Sequence, residues 1–409
     1  MTRTSTDTRT EEGRRRIDWA RAHMPILAGL HARFSAEKPF QGLTIGICLH
    51  VEAKTAVWVD ALTAGGARIV LTGSPGTTQD EVAHVLNQWR GVTALGHRAE
   101  SFDDHLSQCA NVLEAKPDLI ADNGGDLHAL LTRPAFAALR DRLLGATEET
   151  TTGGNRLREE LPDFDFATWV INDTRAKRVV ENRYGVGSSV VDGLMRATNL
   201  MLHGKRVVVI GYGFCGSGVA QRLRGMGAHV TVVEPDPLTR LEAHLEGFTT
   251  RDLPQALPCA DLVITVTGRD GVLGAEMQRL LPDGCLLANA GHFSSEIDAT
   301  ALSAKTMSRR PVRDHVEELT LSDGRRLYLL AGGNPVNLAA GDGNPVEIMD
   351  LGLALQSLSL EQIARQGRTL PAGVHPVRAD VEAEVARLTV AAWIGPEDTR
   401  ETAQEPKGA

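Results

Sequence analysis

Short clusters of polar residues are the parts of this sequence that could do chemistry. They are CLH at 48–50, ADNGGD at 121–126, EETTTGG at 148–154, NDTRAKRVVEN at 172–182, NAGHF at 289–293 and GNPVNLAAGDGNP at 333–345. Histidine, lysine and carboxylates are the side chains that most often act as general acids and bases. Each cluster taken singly is also typical of a helix cap or a turn, because Asx and Thr side chains hydrogen-bond to nearby backbone. One cluster alone therefore does not establish a site.

A glycine pattern between residues 205 and 236 predicts a dinucleotide-binding site. The segment KRVVVIGYGFCGSGVAQRLRGMGAHVTVVEPD combines a strand, a glycine turn, a helix and a second strand. Gly211, Gly213 and Gly216 form GxGxxG, in which the missing Cβ atoms permit a tight turn and close approach of a pyrophosphate. The pyrophosphate would bind the N–H groups that begin the helix. Glu234 ends the second strand, where a carboxylate binds the adenosine ribose and repels a 2′-phosphate, so the predicted cofactor is NAD.

The elements that must position these residues alternate between strands and helices. Apolar runs predict strands at 43–48, 67–73, 260–268, 285–291 and 326–333. This alternation is typical of parallel sheets that helices cover on both faces. We therefore predict an α/β fold with two doubly wound parallel-sheet domains. The helical stretch 345–366 has no predicted strand after it, and we expect it to pack back onto the first domain.

Length and charge limit the class of protein. The chain has 409 residues, which favours two or three domains. Its net charge of -9 argues against nucleic acid as a partner, because an acidic surface repels phosphates. No apolar run reaches about 18 residues and no secretory signal is visible, so we expect no membrane span and a cytoplasmic location. The polar segments 1–16 and 396–409 bury too little apolar surface to fold, and both are predicted to be disordered.

The cysteines predict neither a disulfide framework nor a metal site. Their number is odd and no two have CxxC spacing, a pattern typical of reduced thiols inside a cell. They are Cys48, Cys109, Cys215, Cys259 and Cys285.

Taken together and in order, the polar clusters resemble the S-adenosylhomocysteine hydrolase family, especially its shorter, archaeal-type branch. The resemblance covers residues from about 40 to 390. It is carried by HVEAKTA (50–56), TTQDEVA (77–83), EETTTG, NRYGVGSS, GYGFCG, NAGHFSSEID, VNLAAGDG and EVARL. It implies a substrate domain split between 17–172 and 346–395, with the Rossmann NAD domain inserted at 186–342. It also implies a homotetramer and a small nucleoside substrate.

The resemblance implies an unusual use of NAD. The family oxidises the ribose 3′-hydroxyl of its substrate, which acidifies the proton at C4′. Homocysteine then leaves from C5′, water adds, and the 3′-ketone is reduced again. The cofactor therefore stays bound and is regenerated in each cycle.

The resemblance implies a role for each residue of this chain that matches a functional residue of the family. Lys177 matches the lysine that assists proton removal at O3′, which requires a pKa lowered by burial or by neighbouring cations. Glu149 matches the acid that binds ribose hydroxyls, His50 the histidine beside C5′, and His292 a histidine on the 3′ side. The remaining matches comprise two catalytic positions, Asn123 and Glu181; the cofactor residues Thr150, Thr151, Thr152, Asn182, Asn289 and Asn337; and the substrate residues Glu52, Lys54, Asn172 and Asn344.

Departures from the family pattern leave the reaction open. Asn123, Glu181 and Asn344 replace an aspartate, an aspartate and a histidine, and Val186 replaces a small polar or thiol residue. An asparagine can orient a group but cannot exchange a proton at neutral pH. One hypothesis is therefore a working hydrolase. The others are a nucleoside 3′-oxidoreductase or epimerase that no longer cleaves the thioether, and an inactive NAD-binding regulator.

The base of the nucleoside is a further open point. Glu52 and Lys54 stand where long-form enzymes of the family recognise the adenine amine with threonine and glutamate. A lysine donates hydrogen bonds but cannot accept them, so hypoxanthine is a plausible base. We favour adenine, because members of the short branch commonly have this Glu-Ala-Lys run and still take adenine.

Overall fold

The strands form two separate sheets in the computed structural model, which describes residues 5–291 and 294–395. In chain order they are β1 (Thr44–Cys48), β2 (Arg68–Thr72), β3 (Val92–Ala94), β4 (Leu119–Asp122), β5 (Gly145–Glu148), β6 (Ala167–Val170), β7 (Arg206–Ile210), β8 (His229–Val233), β9 (Thr249–Thr250), β10 (Leu262–Thr265), β11 (Leu286–Asn289), β12 (Thr306–Arg313), β13 (Val316–Leu321), β14 (Arg326–Leu330) and β15 (Gly373–Pro376).

Helices cover both sheets. They are α1 (Ser5–Ala22), α2 (Pro25–Glu37), α3 (Ala53–Ala64), α4 (Asp80–Leu86), α5 (Phe102–Glu114), α6 (Asp126–Leu131), α7 (Ala137–Arg140), α8 (Thr151–Glu159), α9 (Val186–Thr198), α10 (Phe214–Gly225), α11 (Pro237–Leu245), α12 (Leu253–Ala256), α13 (Ala275–Gln278), α14 (Ala299–Lys305), α15 (Val336–Ala339), α16 (Val346–Gln366) and α17 (Ala379–Trp393), with a π-helix at Ala176–Gly185 and short 3₁₀ turns at Pro134–Phe136, Ile171–Asp173, Leu257–Cys259, Ser294–Glu296, Ala331–Gly333 and Gly367–Thr369. Within the described part of the chain, no helix is long and apolar enough to cross a membrane.

The first sheet is parallel throughout and has the strand order β15-β6-β5-β4-β1-β2-β3. β1 lies between β2 and β4. The chain continues from β1 to β2 and β3 on one side and from β4 to β5 and β6 on the other, so the direction of strand order reverses between β1 and β4. Ligands of open α/β sheets bind beyond the carboxyl ends of strands at such a switch point. The sheet therefore brings the chain after Cys48 close to the chain after Asp122.

The second sheet has the order β12-β13-β14-β11-β10-β7-β8-β9, and its switch point lies between β7 and β10. It is parallel except at one edge, where β12, β13 and β14 run antiparallel. The predicted fold of two parallel-sheet domains is confirmed, and the second sheet carries in addition an antiparallel edge that the sequence pattern did not indicate. Tight turns at His315 and Gly324, both with positive φ, join these strands too closely for a helix to intervene.

Helix α16 returns to the first sheet, as predicted for 345–366. It packs against α2, α3 and β5. Asp350 accepts hydrogen bonds from the N–H groups of Ile26 and Leu27, both at 2.8 Å, and so caps α2. The expectation that no strand follows α16 was wrong, because β15 pairs in parallel with β6 and extends the sheet.

The expectation of disorder through residue 16 was also wrong, because α1 begins at Ser5. Ile17 and Ala20 of this helix are buried. Gly13 allows close contact with α4, since a Cβ there would lie 2.2 Å from the carbonyl oxygen of Glu81. A polar helix of low hydrophobicity is thus ordered by a small number of close tertiary contacts. Residues 1–4 and the predicted disordered tail 396–409 lie outside the described residues.

Candidate active site

Lys177 lies at the centre of a buried cluster of charged residues. Its ammonium donates to Glu149 Oε1 at 2.9 Å and forms a second ion pair with Glu181 Oε1. All three side chains are nearly inaccessible to solvent. Lys177 is therefore not a solvated surface residue, and it can act only on groups that enter this site.

The electrostatics of Lys177 differ from the sequence expectation. Burial alone would lower the pKa of its ammonium, but the carboxylates of Glu149 and Glu181 outweigh that effect and raise the pKa above its usual range. Burial also raises the pKa of Glu181, against the opposing effect of Lys177. The lysine is thus protonated, and Glu181 is more basic than an ordinary carboxylate. The expected lowering of the lysine pKa was wrong for this arrangement.

Asn123 joins the cluster from the first sheet's switch point. It follows β4, and its Nδ2 donates to Glu149 Oε2 at 3.3 Å. Among the described residues, Asn123 Oδ1 and Glu181 Oε2 are buried without a hydrogen-bond partner. Unsatisfied buried polar atoms are costly and rare in folded proteins. Asn123 Oδ1 is therefore suited to a polar group of a bound molecule, such as a hydroxyl, whereas Glu181 Oε2 lies against Gly352 of α16.

A π-helix presents Lys177 and Glu181. π-Helical turns are rare and often occur at functional sites. This one is in close contact with α10, since a Cβ at Gly218 would lie 1.8 Å from the carbonyl oxygen of Arg183. It also packs on α16, where a Cβ at Gly352 would lie 2.3 Å from Glu181 Oε2. These glycines hold the π-helix between the two sheets.

His50 lies in the loop after β1, at the same switch point as Asn123. Its Nδ1 is 3.0 Å from Thr77 Oγ1, whose hydroxyl donates to Ser74 O at 2.7 Å. Thr77 Oγ1 therefore accepts from Nδ1–H, which leaves Nε2 as the ring nitrogen available for acid–base chemistry. The carbonyl of His50 accepts from Thr55 Oγ1 at 2.6 Å, so the start of α3 fixes the loop. The other predicted histidine, His292, lies outside the described residues.

The glycine turn has the geometry expected for a dinucleotide. Gly211 has a φ of +104°, and a Cβ at Gly216 would lie 2.1 Å from the Gly211 carbonyl oxygen. A Cβ at Gly213, by contrast, would meet no atom within 4 Å, so this residue faces open space at the start of α10. Glu234 accepts from the N–H of Tyr212 at 2.9 Å and stays partly exposed. These features fit a pyrophosphate and a ribose.

The predicted asparagines form hydrogen bonds that join loops. Asn182 Nδ2 donates to Asn172 Oδ1 at 2.8 Å. Asn289 accepts from Thr265 and from the N–H of Gly291, and donates to the carbonyl of Gly333 at 3.1 Å. Asn337 Nδ2 lies 3.3 Å from Ser189 Oγ. In this geometry the asparagines position backbone around the cleft, and any contact with a ligand is additional to these bonds.

The three predicted threonines lie in three different environments. Thr150 caps α8 by accepting from the N–H of Gly153 at 2.8 Å. Thr151 is exposed. Thr152 faces the second sheet, since its Oγ1 lies 3.7 Å from the position of a Cβ at Gly268. Thr152 therefore lies beside the loop that follows β10, in the nucleotide-binding half of the molecule.

Glu52, Lys54 and Asn344 meet at the crossover between the two halves. Lys54 pairs with Glu52 Oε2 at 2.8 Å, and both residues are buried. Burial raises the pKa of the Glu52 carboxyl, against the opposing effect of Lys54. Asn344 Nδ2 donates to Glu181 Oε1 at 3.3 Å. The structure therefore connects the predicted base-binding residues to the Lys177 cluster.

Glu148, the residue before Glu149, is a buried acid to which the sequence pattern assigned no role. Successive residues at the end of β5 point to opposite faces, so only Glu149 faces Lys177. Glu148 is buried and accepts from the N–H groups of Gly124 and Gly125, at 3.0 and 3.1 Å. Burial raises the pKa of its carboxyl well above the usual range. Two consecutive acids at a strand end were the available signal.

Two other groups of buried residues have ligand atoms close enough to hold a metal ion. They are Cys48, His105 and Cys109, and Asp122, His128 and Glu148. The polar atoms of both groups already contact protein atoms. His105 Nδ1 lies 2.8 Å from Gly73 O, and His128 Nδ1 lies 2.7 Å from Asp122 Oδ2. These contacts tie α5 and α6 to the first sheet.

The protein has two α/β units. A glycine turn lies at the switch point of one unit, and a buried lysine between carboxylates lies beside the other. Together these features define an NAD-dependent enzyme. The chain belongs to the S-adenosyl-L-homocysteine hydrolase family. Residues 6–139 match the family model described as S-adenosyl-L-homocysteine hydrolase, and residues 182–343 match its NAD binding domain. The family resemblance and NAD as the cofactor are thereby confirmed.

Curated relatives match most of the chain. The chain is 46% identical to the S-inosyl-L-homocysteine hydrolase of Methanopyrus kandleri, over 92% of this chain and 89% of that protein. It is 42% identical to the adenosylhomocysteinase of Aquifex aeolicus, over 92% and 91%. It is also 42% identical to the adenosylhomocysteinase of Archaeoglobus fulgidus, over 92% and 93%.

Proposed function

We propose that the protein hydrolyses the thioether of a nucleosyl-L-homocysteine through transient oxidation of the ribose 3′-hydroxyl. The observation that carries this proposal is the buried ammonium of Lys177 between Glu149 and Glu181, beside two polar atoms that have no partner among the described residues. NAD, when bound at the glycine turn, supplies the acceptor for the hydride of C3′. The names of the relatives support a thioether substrate carrying either adenine or hypoxanthine.

The cluster supplies the charges that oxidation of an alcohol requires. Glu149 and Asn123 hold ribose hydroxyls by hydrogen bonds. The proton of O3′ passes to Glu181, whose pKa is raised by burial, while the ammonium of Lys177 stabilises the negative charge that develops on O3′. Lys177 thus assists proton removal as a positive charge, because its raised pKa prevents it from acting first as a base.

His50 performs the second half of the reaction. Its Nε2 is the nitrogen available for acid–base chemistry because Thr77 holds the other ring nitrogen. In the proposed reaction Nε2 takes the proton from C4′ and gives it to the sulfur that leaves C5′. When water adds at C5′, Nε2 takes a proton from that water and returns it to C4′. His50, Asn123 and Glu149 follow the adjacent parallel strands β1, β4 and β5, so His50 lies at the same edge of the first sheet as two residues of the Lys177 cluster.

A nucleoside 3′-oxidoreductase or epimerase is the second candidate. Asn123 favours it, because an amide stands beside Glu149 where the family has a proton-exchanging acid. An inactive regulator is opposed by the intact Lys177 cluster. We also propose a homotetramer located in the cytoplasm, on the strength of the family resemblance and the five free thiols. Light scattering of the purified protein measures the oligomeric state.

One experiment separates the candidates. The purified protein is incubated in parallel with S-adenosylhomocysteine and S-inosylhomocysteine, and thiol release is followed together with absorbance in the NADH band. Catalytic thiol release with either substrate supports the hydrolase and identifies the base. NADH formation without thiol favours the oxidoreductase. The absence of both signals with both substrates would contradict the proposal.

A further inference from the structure

We propose that Lys54 is a positioning residue whose ammonium pins the crossover segment 342–344 to α3 and thereby holds Asn344 against Glu181. The inference rests on the proposed function, since Glu181 belongs to the proposed catalytic cluster. It also changes the expected role of Lys54, which the family resemblance places at the base of the nucleoside.

Every N–H of the Lys54 ammonium has a protein acceptor. The ammonium donates to the carbonyl of Asp342 at 2.5 Å and to the carbonyl of Asn344 at 2.9 Å, and it pairs with Glu52 Oε2 at 2.8 Å. An ammonium has three donors and no acceptor, so these three contacts use all of them. In this geometry Lys54 has no donor left for a purine, and Glu52 is the polar side chain of the pair that can contact one.

The backbone of the crossover segment is shaped to receive a cation. Gly343 has a φ of +70°, and its N–H donates to the carbonyl of Asn337 at 2.9 Å. This turn presents the carbonyls on both sides of Gly343 to one nitrogen atom. A Cβ at Gly343 would lie 3.6 Å from Lys54 Nζ. The two carbonyls and the Glu52 carboxylate thus form an oxygen-lined site that the lysine fills from within the chain.

The side chain of Asn344 connects the crossover segment to the catalytic cluster. Its Oδ1 accepts from Ser189 Oγ at 3.0 Å, and its Nδ2 donates to Glu181 Oε1 at 3.3 Å. Glu181 Oε1 is also the atom that pairs with Lys177. Movement of the Asn344 backbone therefore changes the contacts of Glu181, the residue that takes the proton of O3′ in the proposed reaction.

Substitution of Lys54 separates charge from packing. Lys54→Met keeps most of the side-chain volume but removes the charge, which leaves two carbonyls and a carboxylate without their donor. Loss of one hydrogen bond to a charged group, if it is expressed fully in the positioning of Glu181, lowers kcat by roughly 10- to 100-fold, and we expect a fall of that size. Because the three N–H donors of Lys54 are all used by Glu52 and the segment 342–344, the affinity for NAD should change by less than about 3-fold, a limit set by the scatter of such contributions.

Chemical rescue provides the sharper test. Lys54→Ala leaves space for a small cation. Methylammonium should therefore raise the kcat of this variant by at least about 10-fold, as expected for one recovered charged contact, and the increase should saturate with the concentration of the amine. Lys54→Met fills the same space and should not respond. Lys305→Ala is the matched control, because Lys305 also donates to a backbone carbonyl, that of Ala275, at 2.7 Å. It should retain the wild-type kcat with and without the amine.

Hydrogen exchange tests the restraint without catalysis. Amide exchange in 340–346 should be faster in Lys54→Ala than in the wild type and should slow again with methylammonium. An inactive wild type with this exchange response would overturn the proposed function while keeping the role of Lys54. Unchanged exchange in Lys54→Ala, or equal rescue of the alanine and methionine variants, would overturn the role of Lys54.

Discussion

Asn123 donates through Nδ2 to Glu149 Oε2, the carboxylate oxygen that Lys177 does not contact. Glu149 therefore has a neutral donor on one oxygen and a cation on the other. Among the described residues, the amide oxygen of Asn123 has no partner. The amide of Asn123 can therefore bind a hydroxyl group of a ligand, but it cannot exchange a proton with that group.

Asn123→Asp should raise the rate of thiol release by about 10-fold if proton exchange at this position limits hydrolysis, within the range measured for general acid–base groups. The new carboxyl would lie beside Glu149, and two adjacent carboxylates raise each other's pKa and share a proton. Thiol release from both candidate substrates measures the effect. Asn123→Ala is the control and should lower the rate. No increase with Asn123→Asp would show that the amide is not limiting.

Lys177→Met should abolish formation of the NADH band on mixing with substrate. It removes the charge that stabilises O3′ and leaves Glu149 and Glu181 together without their cation. Breaking a buried ion pair from one side typically costs about 3–5 kcal/mol of folding stability. Urea denaturation therefore accompanies the stopped-flow absorbance measurement. Arg175→Met, at the exposed residue two positions earlier, should alter neither property; NADH formation by folded Lys177→Met would remove Lys177 from the oxidation step.

The cofactor site was largely predictable because its determinants are local. Gly211, Gly213, Gly216 and Glu234 act through backbone geometry and one carboxylate, and each lies within a single strand-turn-helix-strand unit. The alternation of strands and helices likewise predicted both sheets. The family resemblance supplied the separate residues of the catalytic cluster, which no spacing rule connects.

Other features depend on contacts between distant parts of the chain. The π-helix is held by Gly218 and Gly352, which are far from it in sequence, so local propensity does not indicate it. The raised pKa of Lys177 requires two acids from different elements. Helix α1 and strand β15 are ordered by packing and by pairing at a sheet edge. Their amino-acid composition alone predicts neither.

Asp350 makes a predictable contribution to the pH dependence of stability. Burial raises its pKa from 3.8 to about 6, against the effect of the two N–H groups that it accepts. The folded state thus holds this proton more tightly than the unfolded state. The contribution to stability is full below pH 3.8 and is lost as the pH rises towards 6. Asp350→Asn should remove this part of the slope, as measured by urea denaturation from pH 4 to 7; an unchanged slope would contradict the assignment.

Two glycines of the turn allow binding of NAD to be separated from folding. A methyl group at Gly216 would lie 2.1 Å from the Gly211 carbonyl oxygen, so Gly216→Ala should weaken both stability and NAD affinity. A methyl group at Gly213 would meet no protein atom within 4 Å, and the residue has φ of -63°, which alanine adopts readily. Gly213→Ala should therefore keep the melting temperature of the NAD-free protein within about 2 °C, as expected for a change without a steric or cavity mechanism.

The same Gly213→Ala change should weaken NAD binding by at least about 10-fold, because its methyl group occupies the space where the pyrophosphate approaches the backbone. Fluorescence titration of NAD-free protein with NAD measures the affinity, and calorimetry measures the melting temperature. Gly225→Ala, at the far end of α10 with no atom within 4 Å of the new methyl, is the control and should change neither. Unchanged NAD affinity in Gly213→Ala would mean that the pyrophosphate does not lie against this turn. A large loss of stability would mean that the open space at Gly213 belongs to the fold and not to the cofactor.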